Sequence, residues 1–246
     1  MAILDQSNPL AFFKTMHRAF GAQLVATPDR QDPIEGLLEN AFESFERNVE
    51  QPPDCEAAVA CRGGCSSCCT IRVAATAPEI LLIARTIRSL SQQMADELRH
   101  RIAEADRATK RLDELQRMLA GLACPFIDQD LCSIYSVRPL ACRGHASFDE
   151  RACVDALAGR SCDVPISALH MTVRSLVQNS MQAALRDAGL AWATYELNQS
   201  LQIALSDEAC ERGWINGEDV FASAAINDVS LEEMAETFDA IKAVAA

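Results

Sequence analysis

The chain has 246 residues, enough for one large or two small domains with a sizeable buried core. Hydrophobic residues make up 49% of it but aromatics only 5%, a balance rich in alanine and leucine that favours helix over sheet. A net charge of −13 excludes nucleic acid as a general partner, because phosphate binding needs a basic face, and no run of 18 apolar residues could span a membrane.

The N-terminus lacks the basic start, apolar core and cleavage site of a signal peptide, so a cytoplasmic protein with reduced thiols is expected. Phe12, Phe13, Met16, Phe20 and Leu24 recur at helical spacing and predict a core-facing helix over about 9–24. The stretch 6–28 has no acidic residue and carries Lys14 and Arg18, which also fits a transit or membrane-surface segment; a docking helix is the plainer reading. Asp32-Pro33-Ile34-Glu35 reads as a cap, a first-turn proline and a first-turn carboxylate, opening a helix to about Val49 that Pro52-Pro53 stops.

Thr76-Ala77-Pro78-Glu79 is a capping box that starts a helix reaching about Ser89. Ser91 then caps a long helix to about Leu119, with Leu98, Ile102, Ala105, Leu112 and Leu119 inward. Glu97 with Arg101, Asp106 with Lys110 and Asp113 with Arg117 would pair along its solvated face. Gly121 ends that helix, and 124–134 reads as irregular or hairpin-like. Ser147-Phe148-Asp149-Glu150 is a further capping box for a short helix containing Cys153. Pro165 starts an amphipathic helix ended by Gly189, and further helices are predicted over 194–205, 207–212, 218–225 and 231–244.

The chemistry lies in the cysteines. Four of eleven stand in Cys61-Arg62-Gly63-Gly64-Cys65-Ser66-Ser67-Cys68-Cys69, and Cys124, Cys132 and Cys142 follow more than fifty residues later. Thiolates are the soft ligands of zinc, iron–sulfur clusters and Cu(I). Seven candidates exceed the four that one zinc takes, so they fit either one four-thiolate site with spares or two metals with bridging thiolates. Adjacent Cys68 and Cys69 strain the backbone if both hold one ion. Gly63-Gly64 is a poor helix interior and a good tight turn. Arg62, Arg72, Arg138 and Arg143 flank the candidates and could donate to sulfurs or orient the loops. Tyr135 reads as a packing residue with a bonded hydroxyl. His145, Cys153 and Cys162 stand near enough in sequence to extend the site; Cys55 and Cys210 read as small buried side chains, and His17, His100 and His170 are isolated.

The CxxxCxxCC run followed by Cys124-Pro125-Phe126, Cys132, Ile134-Tyr135, Arg138-Pro139 and Cys142-Arg143 resembles the bacterial YkgJ-like cysteine-cluster family. The resemblance covers about 61–143, a third of the chain. It implies a zinc- or iron-chelating domain, in some members described as Fe–S containing, with no common reaction. A flagellin lysine methylase carries a similar cluster, so the motif also occurs inside an enzyme.

The expected fold is mainly α, an irregular cysteine-rich metal-binding core surrounded by helices, with a C-terminal helical bundle that supplies no ligand. Residues 1–54 would form an N-terminal helical segment, 55–163 the cysteine-cluster domain and 164–246 the C-terminal helical region, or all three one continuous domain. The expected function is chelation of zinc or iron by Cys61, Cys65, Cys68, Cys69, Cys124, Cys132 and Cys142, in metal handling or scaffolding. An Fe–S redox partner or methyl-transfer enzyme is the alternative, and Cu(I) storage by CxxxC pairs a third. No GxGxxG or GxxxxGK[ST] loop is present and no catalytic residue is assigned. The expected partner is a metal ion, with a protein partner left open and neither nucleic acid nor membrane expected.

Overall fold

The computed structural model describes residues 2–5, 8–26, 33–50 and 58–244. Among these, eleven α-helices dominate and strands occur only as two short pairs, so the fold is mainly α. In order the elements are α1 (Pro9–Ala26), α2 (Pro33–Val49), β1 (Ala74–Thr76), α3 (Ala77–Arg88), α4 (Gln92–Thr109), α5 (Glu114–Ala120), β2 (Ile127–Asp128) and β3 (Leu131–Cys132). There follow α6 (Leu140–Gly144), α7 (Glu150–Leu157), α8 (Ala168–Asp187), β4 (Thr194–Glu196), α9 (Leu197–Ser206), α10 (Cys210–Ile215) and α11 (Leu231–Ala243). No helix among the described residues is long and apolar enough to cross a membrane.

The long helix α8 is the support on which the rest is stacked. It buries Val173, Val177, Met181, Ala184 and Leu185 at three- and four-residue spacing, and α1, α2 and α6 all pack against it. The phenylalanines of α1 divide between two faces. Phe12, Met16 and Phe20 join the main core, while Phe13 turns to Phe238 of α11. One buried cluster runs from Phe12 to Ala224, so side chains distant in sequence share a single interior. Each fully buried large apolar side chain there contributes about 1.5–3 kcal/mol of transfer free energy.

A second layer stands beside it. Both α3 and α4 pack on α9, and α3 also contacts α2. The layer is joined by β1 and β4, paired antiparallel with Ala74 opposite Glu196, Ala75 opposite Tyr195 and Thr76 opposite Thr194. Each strand runs straight into a helix, so one small ladder fixes where α3 and α9 begin.

Several predicted elements change where a distant partner outweighs local pattern. Residues 194–196 form β4 rather than the first turn of a helix, and Tyr195 is fully buried there with its hydroxyl donating to Asp219 at 2.8 Å. The predicted helix over 218–225 is reduced to a 3-10 turn at Ala222–Ala224, because Asp219 also accepts the Phe221 amide and Ala225 pairs with Tyr195. That over 207–212 appears as α10, three residues later, after Asp207 accepts the Ala209 amide. Asp149, not Ser147, caps α7; the Ser147 hydroxyl accepts the Asp149 amide and donates to the Pro165 carbonyl. Ser147 also bridges to Ile166, which keeps Pro165 extended and delays α8 until Ser167 caps it.

The long helix predicted to reach Leu119 is two helices. Thr109 bonds back to the Ala105 carbonyl at the end of α4, and Asp113 caps α5 through a box closed by Gln116. The break rotates α5, so Leu119 is 76% exposed and Arg117 only 4%. Asp32, Pro52, Pro53 and Cys55 lie outside the described residues.

Candidate metal centre

The first cysteine block is a series of tight turns rather than a helix. The Cys65 amide donates to the Arg62 carbonyl at 3.0 Å, Cys69 to Ser66 at 2.9 Å and Ile71 to Cys68 at 3.3 Å. Gly64 has φ +95°, a conformation that L side chains rarely adopt, and this is where the Gly63-Gly64 pair is used. Ile71 leads through Val73 into β1, so the loop is anchored at one end by the ladder with β4.

The second block is built by a different device. β2 and β3 form a hairpin whose two loop residues, Gln129 and Asp130, both have positive φ, as a type I′ turn requires. It returns Cys132 toward Cys124, and the Ile127 amide donates to the Cys124 carbonyl at 3.1 Å. A 3-10 turn at Tyr135–Val137 and Pro139 then lead into α6, which carries Cys142. The blocks are tied directly: the Cys124 amide donates to the Cys69 carbonyl at 2.6 Å, and the Ser66 hydroxyl donates to Asp130 at 2.6 Å.

All seven predicted ligands line one cavity of about 690 Å³, and all are partly buried. None is in a disulfide. Burial pushes the Cys124 thiol up to about 11 and raises Cys132 and Cys142 as well. Cys68 is raised by its hydrogen bond with the adjacent Cys69 thiol and then by burial. The thiols also feel one another: Cys142 is raised further by Cys124, Cys132 and Cys68, and Cys61 by Cys65, Cys68 and Cys153. As placed, no three His, Cys, Asp or Glu side chains among the described residues form a group that could hold an ion.

The four flanking arginines have separate tasks. Arg143 is a structural clamp, donating to the Arg138 and Ser136 carbonyls and to Glu46 while lying 3.9 Å over the Phe42 ring. Arg72 pairs with Glu114 and Asp228, and Arg62 reaches Glu150 from the surface. Arg138 faces the sulfurs: its charge favours the thiolate forms of Cys68, Cys132 and Cys142. Its guanidinium lies 3.9 Å over Tyr135, which is exposed and serves as a platform rather than as core. The Arg138 Nε is buried with no hydrogen-bond partner, as are Arg117 Nε and Thr70 Oγ1 on the same cavity.

These observations fit a zinc or iron ion in the character of the donors. Zinc held by four thiolates has a net charge of −2, and a guanidinium whose buried Nε has no partner is the kind of neighbour that offsets it. Arg101, whose guanidinium donates to the Ile127 carbonyl, adds a second positive charge beside Cys124.

The remaining candidates divide. His145 lines the cavity, and burial followed by nearby Arg174 lowers its pKa, which favours the neutral imidazole that metals bind. His170 also lines it but its Nδ1 is paired with the Ser167 hydroxyl at 2.8 Å. Cys153 lies outside the cavity wall yet within electrostatic reach of Cys61. Cys162 is exposed and donates to the Ala152 carbonyl, while Cys210 is buried away from the cavity. His17 pairs with Asp187 and His100 with Glu104. Arg117, read from sequence as a solvated partner of Asp113, instead pairs with Glu196 at 2.9 Å inside the protein. The only sequence signal for that was the Asp113-to-Gln116 capping box.

Residues 60–162 match the model of a family described as "CxxCxxCC: Putative zinc- or iron-chelating domain". This is the family that the two cysteine blocks resemble. Its label spaces the first two cysteines as CxxC; here three residues separate Cys61 from Cys65, with Gly64 in the left-handed region. No curated protein and no solved structure matches the chain.

Proposed function

We propose that the protein chelates zinc or iron through Cys61, Cys65, Cys68 and Cys69 of the first block and Cys124, Cys132 and Cys142 of the second, and that its role is metal handling. The observation that carries this reading is the convergence of all seven thiols on one cavity, with Arg138 beside three of them. The family match to a zinc- or iron-chelating domain supports the metal class. A purely structural zinc is normally sealed by its four ligands. Here the seven candidate residues are only partly buried and line one cavity, which favours handling over scaffolding.

An Fe–S cluster is the second reading, and one observation favours it: a cavity of about 690 Å³ is far larger than a single ion needs. Redox or methyl-transfer chemistry would belong to that reading. Anaerobic purification followed by elemental analysis and a visible spectrum separates the two. Stoichiometric zinc or iron in a protein without acid-labile sulfide supports chelation. A brown protein with sulfide rejects it in favour of the cluster, and a protein with no metal after reconstitution rejects both. The reduced thiols that either reading requires support a cytoplasmic location.

A further inference from the structure

The seven thiols are not one uniform group, and an eighth belongs with them. Ser147 is where the difference arises. Its amide donates to Cys61 Sγ at 3.2 Å, its carbonyl accepts the Ala60 amide at 2.8 Å, and its hydroxyl accepts the Asp149 amide at 3.1 Å. Asp149 in turn caps α7 through the Arg151 and Ala152 amides at 2.8 and 3.1 Å. Arg62 and Glu150 add an ion pair across the same junction at 3.6 Å. Cys61 is thereby fastened to the first turn of α7, and Cys153 stands one turn along it, its amide bonded to the Asp149 carbonyl.

Cys69, by contrast, is fastened to the second block through the Cys124 amide. We propose that Cys153 completes a second thiolate centre with Cys61, Cys65 and Cys68, beside an inner centre of Cys69, Cys124, Cys132 and Cys142. Eight thiols make two sets of four, the number that a tetrahedral zinc or ferrous ion takes. The division also relieves the adjacent pair, since Cys68 and Cys69 need not both hold one ion. The outer ligands lie on a glycine-containing turn and a short surface helix, so the outer ion is the one that exchanges. This inference rests on the chelation reading above, and adds to it a second ion and a ligand outside the cavity wall.

The test is anaerobic titration of the reduced, metal-free full chain with Co(II), whose tetrahedral thiolate complexes have intense visible and near-ultraviolet bands. The wild type should bind two equivalents. Cys153→Ala and Cys61→Ser should each bind one, with helical content by circular dichroism unchanged, and Cys124→Ser should lose the other. Two independent outer-set variants keep the result readable if one fails to fold. A wild type that stops at one equivalent, with Cys153→Ala binding the same one, overturns the second centre and leaves chelation standing. Two equivalents retained in both outer variants also overturn it. No thiolate–cobalt bands in the wild type would overturn the chelation reading itself.

Discussion

Glu79 Oε1 accepts the Leu140 amide at 2.7 Å, while its Oε2 accepts the Thr76 amide and hydroxyl at 2.7 and 2.8 Å. One carboxylate, 1% exposed, thus closes the capping box at the start of α3 and also caps α6, the helix that carries Cys142. Burial raises its pKa, against the hydrogen bonds from Leu140 and Thr76. Because the first cysteine loop runs into β1 and Thr76, Glu79 sets the distance between the two cysteine blocks.

Glu79→Ala should therefore act on both stability and the site. It leaves the Thr76 and Leu140 amides buried without acceptors, at about 1–3 kcal/mol each. Urea unfolding should show a loss of about 2–5 kcal/mol, with Glu79→Gln intermediate because it keeps an acceptor toward Leu140. A change below about 0.5 kcal/mol would mean that the two caps are independent of the carboxylate.

Gly144 gives a second, steric test. A Cβ there would stand 2.4 Å from Arg174 Cβ and 2.6 Å from its Cγ, atoms too near the α8 backbone to swing away. Gly144→Ala should push α6 off α8, costing about 1–3 kcal/mol as an overpacking change. Since Cys142 rides on α6, metal content should fall with it. Full metal content at unchanged stability would show that α6 has slack the structure does not suggest.

What was legible in the sequence was local. Thr76 and Ser91 announce helix starts because a cap involves only three or four neighbouring residues, and each marks a helix start here. The cysteine blocks were legible because spacing alone separates them from chance. Arg117 misleads for the same reason: the i,i+4 rule offers Asp113, whereas its partner Glu196 lies 79 residues away at the start of α9. Three-residue strands such as β1 and β4 are too short for alternation to show, and each is defined by the other. Sequence alone leaves Cys153 open because its position depends on Ser147, which reads as a helix cap and instead fixes Cys61.

Arg138 and Arg143 are predicted to separate function from stability. Arg138→Ala should weaken zinc by about 10–100-fold, the usual effect of losing a hydrogen-bonding neighbour of the ligands. Arg138→Lys should recover part of that, since it restores charge without the planar fork. Arg143→Ala should instead lower the unfolding midpoint, because it releases the Ser136 and Arg138 carbonyls and Glu46. Competition against a chromophoric chelator, beside urea unfolding, reads both. Equal effects of the two variants on both measurements would remove the distinction.

The thiols also predict how stability depends on pH. Burial raises Cys124 to about 11, and raises Cys132 and Cys142, above the free thiol value of about 8.5. A raised folded-state pKa means that the native state holds protons which the unfolded chain releases first. The chelator-treated protein should therefore be fully stable below about pH 8.5 and lose stability from there toward about pH 11. The zinc-loaded protein should show no such fall, because its thiols are already deprotonated. By the same protonation, loading at pH 7 should release about one proton per ligating thiol, and affinity should weaken in acid. Zinc uptake with no proton release would mean that the buried thiols are not the ligands.

The bipartite nature of the site can be tested by a double-mutant cycle on Cys69 and Cys124. They come from different blocks, yet the Cys124 amide donates to the Cys69 carbonyl at 2.6 Å. A metal that binds only the folded chain adds its binding energy to stability, so each single Cys→Ser variant should lower both metal content and thermal midpoint. If the two thiols serve one connected centre, removing the second costs less once the first is gone. The double variant should then fall short of the summed losses by about 0.5–3 kcal/mol, the range for residues that act together. A serine at either position keeps a small polar group, so the comparison reads ligation rather than cavity creation. Strict additivity, with each single variant still holding its full complement of metal, would mean that the blocks bind independently. The Cys69-to-Cys124 backbone bond would then be a structural tie between two unrelated loops.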